Sequence, residues 1–247
     1  MAVAKLILEY DGTDYVGWQT QPNGPSVQDE VERALSALHK APTKATAAGR
    51  TDAGVHALGQ VVSVPVSRPL PLPAYVKGMN ALLPPDVAVR KAEVLPDGFD
   101  ARRDARGKRY RYRIQGIATR APLSRRTTWQ IFRPLDVDAM ASAARPLVGR
   151  HDFAAFQASD CESRHAVREL RRLEVVVPAP GDIQVVAEAT AFVKHMVRNI
   201  VGTLVEVGLG ARDPSSMAAL LEGRDRTRAG ATAPPQGLCL EEVFYGP

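Results

Sequence analysis

Two stretches of this chain repeat one order of patterned segments, and that order restricts the fold more than any single motif does. Residues 3–10 form a short strand pattern. Ser26 stands where a helix cap belongs, with Asp29 three residues on. Val27, Val31, Leu35 and Leu38 recur at helical spacing, which predicts a helix over 27–39. Strands are expected near 43–49 and 59–66, then a short helix led in by Pro71 and Pro73 and ending at Leu83, then a strand over 87–94. The sum is βαββαβ, the split βαβ pattern of a ferredoxin-like sandwich. A similar order follows: a strand over 108–114, a helix over 136–148, strands near 167–177 and 183–190, and a helix over 193–207. A short helix begun by Asp213-Pro214 precedes a closing strand over 237–245. The expected fold class is therefore α+β, with two ferredoxin-like halves and antiparallel sheets. The expected domains are residues 1–100 and 101–247, with a binding cleft between them.

The charge balance narrows the partners. Lysine and arginine total 32 against 27 acids, and only seven of the 32 are lysines. Arginine offers planar, multi-donor recognition of phosphate and stacks on bases, so the excess favours a polyanion. The two cysteines, Cys161 and Cys239, are too few for a disulfide framework or a metal cluster and suit a reducing cytoplasm. No run approaches the length of a membrane span, and the N-terminus reads as a strand rather than a signal peptide. The chain has no P-loop, dinucleotide fingerprint, nucleophile elbow or metalloprotease histidine spacing. No cofactor and no metal are expected.

Three groups carry chemistry. The first is Gly49-Arg50-Thr51-Asp52-Ala53-Gly54-Val55-His56, a carboxylate beside an arginine in a turn between two strands. Glycines on both sides let the backbone turn or approach a ligand. An Asp in such a turn is also a common local cap. The second is Lys108-Arg109-Tyr110-Arg111-Tyr112-Arg113. As a strand it would point Lys108, Tyr110 and Tyr112 one way and Arg109, Arg111 and Arg113 the other. The arginine row must then meet solvent, acid groups or RNA phosphate. The third is Phe192 to Ile200, where Lys194 and Arg198 lie four apart, on one face of the expected helix.

The assembly of blocks, end to end, resembles the TruA-type tRNA pseudouridine synthases. The matching blocks are Tyr15 to Asn23 with Ser26-Val27-Gln28, Gly49 to Gln60, Phe99-Asp100-Ala101-Arg102, Lys108 to Tyr112, Cys161-Glu162-Ser163, Ala191 to Gly202 and Ala229 to Leu238. The resemblance implies the pseudouridine synthase fold, isomerisation of uridine at positions 38, 39 and 40 of the tRNA anticodon arm, and a homodimer without metal or organic cofactor. It implies Asp52 as catalytic nucleophile, Arg50 as its neighbour, Tyr110 as active-site tyrosine and Arg198 as a basic residue near the aspartate. Lys108, Arg109, Arg111 and Lys194 are the expected RNA contacts. The reaction breaks the N1–C1′ bond, turns the uracil and rejoins it through C5. A carboxylate can attack C1′, attack C6, or remove a sugar proton, and the residues leave these three routes open. The base must leave its helix first, and Tyr110 would stack on it.

Three other classes compete. A non-catalytic RNA-binding module would have no use for a carboxylate facing phosphates. A nuclease or phosphatase would cluster acids around metal, and Asp52 has no acidic companion in its motif. A purely structural protein would not need the dense basic rows.

Overall fold

The computed structural model describes residues 2–161, 163 and 165–246. The chain folds as two compact units, Met1–Arg106 together with Cys239–Pro247, and Gly107–Leu238.

The first unit holds strands β1 (Ala2–Tyr10), β2 (Thr46–Ala47), β3 (His56–Val66) and β4 (Val87–Pro96), and helices α1 (Val27–His39) and α2 (Met79–Leu82). A π-helical turn, Ala74–Gly78, runs into α2. β1 is central and antiparallel to both β3 and β4. Its alternation sends Ala4, Leu6, Leu8 and Tyr10 into the core, where Leu6 stands between Val62 and Ala92. α1 turns Val27, Val31, Ala34 and Leu35 inward. Its start is the expected capping arrangement: Ser26 Oγ accepts from Asp29 N at 3.1 Å and donates to Asp29 Oδ2 at 2.6 Å.

The last strand of the chain, β10 (Leu238–Phe244), joins this unit. It pairs in parallel with β3, Cys239 opposite His56 and Leu240 opposite Ala57. β3 accordingly begins at His56, three residues before the expected start. Gly59 makes that possible, because a β-carbon there would sit 2.3 Å from the Glu241 carbonyl oxygen.

The second unit holds β5 (Gly107–Gly116), β6 (Trp129–Ile131), α3 (Val137–Ala144), β7 (Gly149–Asp152), β8 (Val167–Ala179), β9 (Asp182–Ala189), α4 (Met196–Gly208) and α5 (Ser216–Gly223). Its strands run β5-β9-β8-β7, antiparallel throughout, with β6 parallel beside β5. The class is thus α+β with mostly antiparallel sheets, as expected. α4 differs from the expected amphipathic helix, for only Arg198 and Glu206 of its thirteen residues escape burial. The segment 229–233 covers its remaining side so closely that a β-carbon on Gly202 would lie 1.7 Å from the Ala231 carbonyl oxygen. Neither unit contains a helix long and apolar enough to cross a membrane, among the described residues.

Candidate active site

Asp52 sits in the segment that joins β2 to β3, and the backbone on both sides of it is tied to distant parts of the first unit. Before it, Gln60 donates through Nε2 to Gly49 O at 2.7 Å, and Thr51 Oγ1 shares a 2.8 Å hydrogen bond with the Tyr10 hydroxyl. Trp18 N donates to Thr51 O at 3.0 Å, and Gly17 forms a β-bridge with Asp52 itself. After it, Val55 N donates to Asp52 O at 3.1 Å, closing a four-residue turn. Gly54 stands third in that turn with φ +75°, the type II requirement for a residue that tolerates positive φ. Gly54 N also donates to Tyr15 O at 3.3 Å.

The Tyr15–Trp18 strip is itself anchored on α1, since Val27 N and Gln28 N donate to the carbonyls of Gly17 and Trp18 at 3.2 and 2.9 Å. Asp52 is therefore held by a chain of backbone bonds running from helix start to loop to turn. Gly17 is the tight point. Its φ is +115°, and a β-carbon there would lie 2.7 Å from Thr51 O. Thr51 is buried, Asp52 is half-buried and Arg50 is exposed. Beneath the turn, burial pushes the Tyr10 phenol well above its ordinary range, opposed by its hydrogen bonds to Thr51 and Gln60. The block Tyr15 to Asn23 was visible in the sequence, but no local signal said that it braces Asp52.

In the second unit β5 alternates as expected. Tyr110 stands opposite Ala187 and Tyr112 opposite Val185. The two tyrosines differ in surroundings. Tyr112 is fully buried, its hydroxyl donating to Pro234 O at 2.7 Å, and burial raises its phenol strongly against a lesser opposing effect of the Arg198 charge. Tyr110 remains 8% exposed and packs edge-on against Phe192, ring centroids 5.1 Å apart at 85°.

Of the three settings open to the arginine row, two arginines adopt acid partners on β9. Arg109 pairs with Glu188 at 3.1 Å and Arg113 with Asp182 at 3.3 Å. Arg111, between them, is half-buried opposite Val186. Lys108 is half-buried on the Tyr110 face, opposite Ala189.

Arg198 is fixed at both ends of its residue. Its Nε donates to Ala233 O at 2.8 Å, and its own carbonyl accepts from Ala233 N at 3.1 Å. Lys194 does not share its helix. α4 starts at Met196, because His195 takes a left-handed conformation (φ 62°, ψ 3°) and Met196 N folds back onto Val193 O at 3.0 Å. A non-glycine residue there is uncommon and costs backbone energy, so the turn before α4 ends the helical pattern that the spacing of Lys194 and Arg198 suggests. Lys194 instead pairs with Asp160 at 2.5 Å. Glu162, in the Cys161-Glu162-Ser163 block, lies outside the described residues. No group of three or more His, Cys, Asp or Glu side chains that could hold a metal ion occurs among the described residues.

A family model described as tRNA pseudouridine synthase matches residues 6–102 and 143–246, which contain both the Asp52 turn and the Arg198 helix. The chain belongs to the tRNA pseudouridine synthase family. It is thereby an isomerase that acts on uridine in tRNA. A tRNA pseudouridine synthase A of Myxococcus xanthus is 58% identical over 98% of this chain and 91% of its own length. Those of Syntrophotalea carbinolica and Geotalea uraniireducens are 51% and 48% identical, over 100% and 99% of this chain and 98% and 100% of theirs. A solved Cbf5-Nop10-Gar1 complex superposes loosely, with a TM-score of 0.38 and 12% identity, covering 96% of this chain and 48% of that one.

Proposed function

We propose that this isomerase converts uridines 38, 39 and 40 of the tRNA anticodon arm to pseudouridine, with Asp52 as the reacting carboxylate. The observation that carries the assignment is the bracing of the Asp52 turn. Backbone bonds from Gly17, Trp18 and Tyr15 and a side-chain bond from Gln60 reach four of the six residues from Gly49 to Gly54. A loop aspartate that served only to cap its own turn would not need such support, whereas a reacting group gains rate from being held in place.

The roles follow from the chemistry. Asp52 forms and then releases a bond at C1′ or C6, or takes a sugar proton, while the N1–C1′ bond opens. Arg50 and Arg198 offset its charge against the phosphates that approach with the RNA. Tyr110 offers its ring as a platform for the flipped uracil and its hydroxyl as a group near C5, where a proton leaves once the C5–C1′ bond has formed. Lys108, Arg109, Arg111 and Lys194 contact the RNA backbone, with Lys108 on the Tyr110 face of its strand. Arg109 would exchange Glu188 for phosphate to do so. The active species is a homodimer in the cytoplasm.

The test is release of tritium from C5-labelled uridine in tRNA, with modified positions mapped on the product. Asp52→Asn should abolish release while tRNA affinity stays within about tenfold, or ~1.4 kcal/mol. Turnover of that variant near the parental rate would remove Asp52 from the role. Modification only at uridines outside the anticodon arm would overturn the positional assignment.

A further inference from the structure

Arginines of the second unit divide into two kinds. Arg109, Arg113 and Arg172 each have a carboxylate partner within 3.3 Å. Among the described residues, Arg168, near the start of β8, has only uncharged acceptors. One terminal nitrogen donates to Val167 O at 2.6 Å and His165 O at 3.1 Å and lies 3.3 Å from His165 Nδ1; the other donates to Ser163 Oγ at 2.7 Å. Its Nε is buried with no hydrogen-bond partner among the described residues. Burial also pulls the guanidinium pKa below its ordinary value, which is the mark of a cation lacking compensation.

Arg168 lines a pocket of about 490 Å³ together with Arg150, His165, Val167, Glu169 and Thr190. The strands explain how these residues meet. Arg150 of β7 stands opposite Glu169 of β8, and Thr190, just past β9, donates its backbone N–H to Glu169 O at 3.1 Å. Arg150 is exposed. The single carboxylate in the lining, Glu169, lies 4.0 Å from Arg171. Arg150, His165, Arg168 and Thr190 thus line one pocket with a single acid, Glu169, among them.

We infer that this pocket seats a phosphodiester of the bound RNA, a contact separate from those proposed for Lys108, Arg109, Arg111 and Lys194. The inference rests on the tRNA reading above. A phosphodiester carries one negative charge, and the Glu169 carboxylate repels a monoanion less than the dianion of free phosphate or of a terminal phosphate monoester. The location agrees. Leu170, next to Glu169 of the lining, pairs with Ala189, and Ala189 with Lys108, so the β8 side of the pocket lies two strand spacings, about 10 Å, from the Lys108 position. A backbone tracked by Lys108 would pass it within a few nucleotides.

The experiment measures equilibrium binding of tRNA to the full-length parent, Arg150→Gln and Arg168→Gln between about 50 and 200 mM salt, with melting curves and C5-tritium release alongside. Loss of one phosphate contact should lower the slope of log K against log salt by about 0.7–0.9 and weaken binding most at low salt. Arg168→Gln also removes the bonds that hold residues 163–167. Arg150→Gln, at an exposed side chain, supplies the second measurement should the first variant melt early. Parental affinity and slope in both variants would overturn the inference. So would weaker binding with an unchanged slope, which marks a structural role. If inorganic phosphate at 10 mM raises the melting temperature of the parent but not of Arg168→Gln, and the tRNA slope does not move, the pocket takes a small anion and the RNA assignment fails. A parent that binds no tRNA and releases no tritium would instead refute the proposed function.

Discussion

Substituting Gly17 by alanine tests whether the position of Asp52 depends on a residue 35 places earlier. The new methyl group would begin 2.7 Å from Thr51 O, with Ala53 N and the Asp52 carbonyl carbon both at 3.2 Å. Ordinary contact starts at 3.4 Å, so the strip and the turn must separate by about 0.7 Å. Backbone strain at φ +115° adds about 1–2 kcal/mol, and overpacking against backbone adds about 1–3 kcal/mol. Gly98 provides the matched control. Its φ is +102°, yet a β-carbon there meets nothing within 4 Å. Gly98→Ala should therefore carry the strain without the displacement. At about 2–4 °C per kcal/mol for a chain of this size it should melt about 2–8 °C early and turn over normally. Gly17→Ala should melt lower still. In the fraction that stays folded, single-turnover tritium release should fall by roughly 100-fold, the usual cost of an ångström-scale misplacement. tRNA affinity should change little. Equal turnover in Gly17→Ala and Gly98→Ala would refute the claim that this contact positions the carboxylate.

Tyr112→Phe removes the hydroxyl that donates to Pro234 O, so it should cost about 1 kcal/mol of stability and leave turnover near parental. Tyr110→Phe should keep tRNA binding and slow the chemical step if its hydroxyl serves C5, and Tyr110→Ala should slow it further; a Tyr112 variant slower than both would reverse the assignment. Tyr10, Tyr15, Tyr112 and Tyr245 all have phenols raised above the ordinary value near 10, in each case chiefly by burial. Above pH ~10 the unfolded chain loses these protons and the folded chain keeps them, so stability is full below that pH and falls as pH rises beyond it. Phenolate absorbance should then appear together with loss of circular dichroism, and phenolate forming in a still-folded protein would count against it. Sedimentation at micromolar concentration should show a dimer of the 26.7 kDa chain, and a monomer alone would count against the homodimer.

Much of the architecture was legible because it is local. The strand patterns over 3–10 and over 108–114 mark strands whose cores are Leu6, Leu8, Tyr112 and Ile114. Ser26 and Asp29 announce a helix start, and the structure caps α1 with the Ser26 hydroxyl. The glycine after Asp52 announces a turn, and Gly54 has the positive φ that the turn needs. Where local pattern misled, a backbone feature without a strong sequence signal intervened. Apolar spacing runs through Val193, but the left-handed His195 delays α4 to Met196 and takes Lys194 off the helix.

By itself the sequence determined most of the longer strands and helices (though not β6 or β7), where the Arg50–Asp52 turn falls, which way the side chains of β5 alternate, and the family to which the chain belongs. Periodicity carries that information because it reports the face a side chain takes along its own segment. It does not report which segment lies across from that face. Only the tertiary structure decided that β10 returns to pair with β3, that Gly17 and Trp18 brace Asp52, and that Glu188 and Asp182 take up Arg109 and Arg113. It also buried both tyrosines on the same face of one strand, Tyr112 completely and Tyr110 at 8% exposure. These pairings join groups 33 to 183 residues apart, and such meetings are set by the packing of the whole unit.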